Sequence, residues 1–219
     1  METYLIFDYD GTLHDTLQIY EPALQQTYDW LVNGGYAVPR KLERTEIAGW
    51  IGYNSRQMWN LFMPELPESL KAQASRNVGQ VMLERIGTGQ ARLYDEAEDT
   101  LRILRSRGYH LIFLSNCKEA YMQAHQQQFH LKDYFEDFYC CESYDFLPKT
   151  DIFLEIAEKY VGNYVVIGDR YSDLEVGLVY DFPTVGCSYG YGNAEELKNA
   201  NILVHHVKQI VNAVRKCEE

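Results

Sequence analysis

The sequence is poor in cysteine, proline and positive charge, and it has no long apolar run. Its five cysteines, Cys117, Cys140, Cys141, Cys187 and Cys217, are an odd number, and none forms C-x-x-C. That pattern speaks against a disulfide framework and a structural zinc site, and it fits reduced thiols in a cytoplasmic protein. Lys and Arg number 20 against 32 Asp and Glu, a net charge of −12. A broad electrostatic grip on nucleic acid or on an anionic membrane is therefore not expected. No segment approaches the roughly 18 apolar residues of a membrane span. The first residues show neither the basic nor the apolar region of a signal peptide. Nucleotide-binding signals are missing too. There is no G-x-x-x-x-G-K-[ST], and Gly190-Tyr191-Gly192 lacks the third glycine of a dinucleotide loop. His14, His110, His125, His130, His205 and His206 show no H-E-x-x-H spacing, which leaves surface and cap positions as their ordinary places.

What remains is a globular composition. The chain has 219 residues, 46% hydrophobic and 24% charged, long enough to bury a core without staples as one large domain or two smaller ones. Its 18 tyrosines suit amphipathic packing at core edges. The acidic balance sets a condition on function: a phosphate-bearing ligand would need locally inverted charge, most simply from a divalent cation.

Along the chain, Tyr4-Leu5-Ile6-Phe7 reads as a strand ending at the polar turn Asp8-Tyr9-Asp10-Gly11-Thr12. Helical periodicity then dominates to about Gly89. One helix runs from Thr16 towards Asn33, with Ile19, Leu24, Tyr28 and Leu31 on one face and Gly34-Gly35 as its stop. Further helices are predicted over Leu42–Ala48, Ser55–Phe62 (capped by Asn54 or Ser55) and Pro67–Ile86. After Gly89, helices and strands alternate. Helices are predicted over Glu96–Ser106, Lys118–Phe129, Asp151–Tyr160, Leu174–Tyr180, Ala194–Ala200 and Val207–Cys217. Strands are predicted over His110–Leu114, Phe138–Cys141, Tyr164–Ile167, Pro183–Gly186 and Ile202–Val204. The expectation is an α/β fold: a Rossmann-like parallel sheet core over 1–15 and 90–219, with an all-helical cap domain inserted over 16–89.

Four polar clusters fall at strand ends or helix starts, where open parallel sheets bind ligands. They are Asp8 and Asp10 with Gly11-Thr12, Ser115-Asn116, Lys149, and Gly168-Asp169 through Asp173. Each alone has an ordinary alternative as a turn, a cap or solvated surface. Their order and shared placement favour a common site.

These motifs resemble those of the haloacid dehalogenase superfamily of aspartyl-phosphate hydrolases, in the branch with a helical cap after the first strand. Asp8-Tyr9-Asp10-Gly11-Thr12 resembles its first motif, Leu114-Ser115-Asn116 its second, Lys149 its third and Gly168-Asp169 through Asp173 its fourth. The run Val185 to Gly192 followed by Glu195-Glu196-Leu197 resembles the phosphoglycolate phosphatase-like subgroup. One departure is Lys149-Thr150 where the subgroup has Lys-Pro, with Thr150 able to cap the next helix instead.

The resemblance implies a Mg²⁺-dependent phosphatase acting on a small phosphorylated metabolite through an aspartyl-phosphate. It assigns Asp8 as nucleophile and Asp10 as the acid and base. Asp8, the backbone carbonyl of Asp10, and Asp169 would hold the metal, with Asp173 holding a metal-bound water or orienting Lys149. Gly11 and Thr12 would lie against the phosphoryl group, Ser115 and Asn116 would donate to its oxygens, and Lys149 would supply a point charge. In the cap, Arg56 could clamp a second anionic group, beside the exposed turn Gly52-Tyr53-Asn54-Ser55, although an Arg in a first helical turn is often simply solvated. Trp50, Tyr53 and Trp59 are candidates for the pocket wall, with core packing the more ordinary place for the tryptophans. Cys117 would be an oxidation-sensitive neighbour with no base beside it, and Cys140-Cys141 a buried strand. Cap closure would hinge near Asp15–Leu17 and Gly87–Leu93. The rival readings are a phosphomutase of the beta-phosphoglucomutase type, a non-catalytic phosphometabolite-binding protein, and a dehalogenase, which would not need Asp10 or a metal. Neither nucleic acid nor membrane is an expected partner, and a monomer or homodimer is expected.

Overall fold

A computed structural model of the protein describes residues 2–218, so the outermost residues of the expected core, Met1 and Glu219, lie outside the described residues. In chain order the elements are β1 (Thr3–Phe7), α1 (Leu17–Asn33), α2 (Arg44–Ala48), α3 (Ser55–Phe62), α4 (Glu68–Gly87), α5 (Ala97–Ser106), β2 (His110–Ser115), α6 (Glu119–Gln128), β3 (Phe135–Cys140), α7 (Lys149–Lys159), β4 (Asn163–Gly168), α8 (Tyr171–Tyr180), β5 (Thr184–Cys187), α9 (Ala194–Leu197), β6 (Ile202–Val204) and α10 (Ile210–Cys217).

All strand pairings are parallel, in the order β3-β2-β1-β4-β5-β6. This is a doubly wound sheet whose strand order reverses at β1, and such sheets bind ligands at the carboxyl ends beside that reversal. Alternation along β1 feeds both faces. Leu5 and Phe7 join the larger apolar cluster, shared with α1, α4, α5 and α10, while Tyr4 and Ile6 join a second cluster with Ile152, Phe153 and Ile156 of α7. The fold class expected from sequence is the one found.

Helices α1 to α4 form one block between β1 and α5. In α1 the expected face, Ile19, Leu24, Tyr28 and Leu31, is buried. It packs on α4, which also leans on α6. The two connections to this block run side by side. Asp15 N–H donates to the Arg92 carbonyl (2.9 Å), and Tyr94 N–H donates to the Leu13 carbonyl (2.8 Å). Asn54 caps α3, accepting from the backbone N–H of Arg56 and Gln57.

Several boundaries differ from the sequence expectation. Helix α7 begins at Lys149, because Pro148 occupies the position before it with extended ψ. Thr150 therefore lies inside the helix and does not cap it. Helix α8 begins at Tyr171 because Asp173 reaches back to the Arg170 N–H (2.9 Å). Helix α2 starts only at Arg44, Glu43 before it being extended. Strand β3 begins at Phe135, three residues earlier than expected.

Candidate active site

Strand β1 ends at Phe7, so Asp8 emerges at the carboxyl edge beside Ser115, the last residue of β2, and Asp169, which follows β4. Lys149 arrives from the first turn of α7. Its Nζ donates to Asp8 Oδ1 (2.6 Å) and to Asp173 Oδ1 (2.7 Å). Asp8, Lys149, Asp169 and Asp173 are all buried. Three of the four sequence clusters thus meet in direct contact. Ser115 and Asn116, from the remaining one, line with Asp8 and Asp10 a cavity of about 140 Å³ under the helical block.

The electrostatics follow from crowding. Asp8, Asp169 and Asp173 offer oxygens that all lie within 4.8 Å of one another. Burial pushes the Asp8 carboxyl up to about 7, with Asp173 adding to the rise and Lys149 opposing it. Burial, then the charges of Asp8 and Asp173, hold Asp169 well above the usual carboxylate range. Burial alone would discharge Lys149, but Asp173 and Asp8 outweigh it and raise the ammonium. Two buried acids whose ionisation is disfavoured first by burial and then by neighbouring carboxylates, with Lys149 paired to Asp8 and Asp173, make an environment that would suit a hard divalent cation. Asp8, Asp169 and Asp173 each offer an oxygen that could hold such an ion. Asp173 has both oxygens engaged, Oδ1 by Lys149 and Oδ2 by the Asp169 and Arg170 N–H groups, which fits a role in orienting Lys149.

Asp10 lies on the other side of the cavity mouth. Its Oδ1 accepts from Tyr121 OH (2.6 Å) and Thr16 Oγ1 (2.7 Å), with His14 Nδ1 at 3.2 Å. No protein donor among the described residues reaches its Oδ2. Burial would raise this carboxyl, but His14, Tyr121 and Thr16 outweigh it and hold it below the usual range. Burial and the Asp10 charge keep the Tyr121 hydroxyl protonated, so it donates. None of these three donors stood out from the sequence. The histidine expectation is corrected here: His14 and His125 are fully buried, packed against each other, and Tyr9 OH bonds His125 Nδ1 at 2.7 Å.

Other expected contacts are redirected. Gly11 has φ +90°, and a Cβ there would meet the Asp169 carboxylate at 2.3 Å, so its missing side chain makes room for Asp169. Thr12 is buried behind the carboxylates, its hydroxyl near Asp8 Oδ2 (3.3 Å) and Asp169 Oδ1 (3.4 Å), and it does not line the cavity. Asn116 turns its amide to the Gly52 carbonyl of the helical block (2.9 Å). Arg170 joins it there, donating to the Ile51 carbonyl (2.7 Å) while pairing with Glu196 (2.8 Å). Arg56 stands outside the cavity with its guanidinium 4.8 Å from the Phe146 ring centre, so the structure does not bring it to the site. Trp50, Tyr53 and Trp59 do line the cavity, as does Cys117, whose thiol burial pushes well up. Loop Gly190-Tyr191-Gly192 closes over Asp169, with Tyr191 N–H donating to Asp169 Oδ2 (2.6 Å).

A doubly wound parallel sheet with carboxylates, a serine and a lysine gathered at its carboxyl edge defines a Rossmann-like α/β protein with its site at the switch point. Residues 3–179 match the family model of the haloacid dehalogenase-like hydrolases, and the chain belongs to that family. A phosphoglycolate phosphatase of Psychrobacter arcticus is 23% identical over 209 residues, covering 90% of this chain and 88% of its own. A structure described as a predicted phosphatase from Clostridium acetobutylicum superposes with a TM-score of 0.82 at 21% identity, over 99% of both chains. The beta-phosphoglucomutase of Clostridium difficile superposes with a TM-score of 0.77 at 17% identity, over 99% of this chain and 97% of its own. All five cysteines are free, and no helix among the described residues is long and apolar enough to cross a membrane.

Proposed function

We propose that this hydrolase is a Mg²⁺-dependent phosphatase acting on a small phosphate monoester. The observation that carries the reading is the buried group of Asp8, Lys149, Asp169 and Asp173, whose Asp8 lines a cavity together with Asp10 and Ser115. Phosphoryl transfer asks mainly for positioning and charge neutralisation, and this group offers both.

An Asp8 carboxylate oxygen attacks phosphorus, forming the acyl-phosphate as the bond to the alcohol oxygen breaks. The departing oxygen takes its proton from Asp10 Oδ2. Before this step Asp10 must gain a proton, which the negative charge of an incoming phosphate favours. Asp10 then accepts a proton from water, whose oxygen attacks the acyl-phosphate and releases inorganic phosphate. Lys149 and the Ser115 hydroxyl hold phosphoryl oxygens. A bound Mg²⁺ would be held by Asp8, Asp169 and the Asp10 carbonyl, and would neutralise charge between carboxylate and phosphate.

The names of the relatives make phosphoglycolate the first substrate to assay. Release of inorganic phosphate from a monoester panel should require Mg²⁺, stop with EDTA, and fall at least about a thousandfold in Asp8→Asn. Full activity in that variant would remove Asp8 as the nucleophile. The mutase alternative predicts transfer to a sugar hydroxyl without phosphate release, in the same assay.

A further inference from the structure

The loop after β5 does more than close over Asp169. It also touches both connections to the helical block. Helix α1 carries the outgoing connection, and it has no side-chain cap from its own N-terminus. Thr16 stands in the capping position, but its hydroxyl donates to Asp10 (2.7 Å). The Leu17 N–H donates instead to the Tyr191 hydroxyl (3.1 Å), which donates in turn to Asp15 Oδ1 (3.0 Å). A loop 174 positions away thus supplies the acceptor that the first turn of this helix needs. The returning connection meets the same loop through Tyr189. Its ring stands edge-on to Tyr94, 5.3 Å between centres, and its hydroxyl donates to the Thr12 carbonyl (2.7 Å).

Tyr191 is the residue that the metal-binding edge and the outgoing connection share. Its main-chain N–H donates to Asp169 Oδ2 (2.6 Å), while its hydroxyl, at the far end of a rigid ring, holds Asp15 and Leu17. The ring is half-buried and passes close over Gly11, where a Cβ would meet it at 2.8 Å. Tyrosine has only two side-chain torsions, so a displacement of its main chain reaches its hydroxyl with little lost between. Asp15 has no slack to absorb the movement, because its other oxygen accepts from Gln18 (2.8 Å) and its N–H is bonded to the Arg92 carbonyl (2.9 Å).

We propose that Tyr191 is a positioning residue that couples cation binding at Asp169 to the seating of the outgoing connection, so that the start of α1 is held more firmly when Mg²⁺ is bound. This rests on Asp169 holding the cation, as in the phosphatase reading, and adds a link from that site to the helical block. A carboxylate committed to a cation is restrained. Its bond to the Tyr191 N–H restrains the ring, and the hydroxyl restrains Asp15 and Leu17. Such coupling is reciprocal: a connection seated on Tyr191 favours the cation by the same factor.

The test needs no substrate. Amide hydrogen exchange is followed residue by residue by NMR, with and without Mg²⁺, in the unaltered protein, in Tyr191→Phe and in Asp15→Ala. Tyr191→Phe keeps the N–H and the ring and loses only the hydroxyl. In the unaltered protein Mg²⁺ should slow exchange at Asp169 and Arg170, and also at Leu17 by about fivefold. In Tyr191→Phe the slowing at Asp169 and Arg170 should persist, that at Leu17 should fall below about twofold, and the Mg²⁺ Kd by calorimetry should rise about fivefold. Asp15→Ala leaves one of the two hydroxyl contacts and should fall between. Protection of β1 and β4 reports that each variant is folded. A merely structural role would change basal exchange at Leu17 but not its response to Mg²⁺. Slowing at Asp169 with none at Leu17 in the unaltered protein, or undiminished slowing at Leu17 in Tyr191→Phe, overturns the inference and leaves the phosphatase reading standing. If Tyr191→Phe does not fold, undiminished slowing at Leu17 in Asp15→Ala overturns it in the same way. No effect of Mg²⁺ at Asp169 in the unaltered protein overturns both.

Discussion

Asp10 owes its orientation to three side chains that reach it from different parts of the chain, Thr16, His14 and Tyr121. A hydrogen bond to a charged group contributes about 1.5–3 kcal/mol, so deleting one donor should slow the proton-transfer steps by roughly ten- to a hundredfold. Tyr121→Phe and Thr16→Val should therefore lower kcat by that factor with KM little changed, measured by steady-state phosphate release. Beneath them His125 is buried and neutral, its basicity held well down first by burial and then by His14. The unfolded chain takes up a proton on this residue below about pH 6.5, while the folded one does not until lower pH. Stability should consequently fall as pH drops through that window, by up to about 1.4 kcal/mol per unit, and the slope should flatten in His125→Phe, read by denaturant unfolding at several pH values. Asp10 itself was legible from the D-x-D spacing after a strand. Its donors were not, because Tyr121 lies 111 positions away. The histidines gave no signal because their burial depends on tertiary partners such as Tyr9.

Among the elements, α3 supplies Met58 and Trp59 to the cavity wall and depends on the Asn54 cap at its start. Asn54→Ala should destabilise the protein by about 1 kcal/mol, visible as a lower Tm, with a raised KM if the wall loosens. The loop after β5 is constrained more severely. A Cβ at Gly192 would fall 1.7 Å from the Asp169 carbonyl oxygen, so Gly192→Ala must displace the strand end that carries Asp169. Loss of both stability and Mg²⁺-dependent activity is expected, compared by thermal melting and phosphate release. Periodicity and Gly stops were enough to find α1 and the order of alternating elements. The starts of α7 and α8 were misjudged because Pro148 and the back-reaching carboxylate of Asp173 decide them locally, against apolar patterns that begin a turn later. Arg56 fits the same lesson: its place in a first turn was readable, but the ring of Phe146 that receives it is not near in sequence.

At the scale of the molecule, the helical block is held down on the sheet by polar contacts from the site itself. Asn116 and Arg170, neighbours of Ser115 and Asp169, bind the Gly52 and Ile51 carbonyls. The block's position is thereby tied to the sheet edge, and Arg170→Gln should speed amide hydrogen exchange across residues 47–53 while leaving β1 and β4 protected. The sequence indicated an inserted block and where its connections lie. It could not indicate that those connections pair with each other, through Asp15 with Arg92 and Leu13 with Tyr94. Because these bonds cross-link the outgoing and returning segments, a substitution that disturbs one crossing is transmitted to the other, and the two share a common fate on local unfolding.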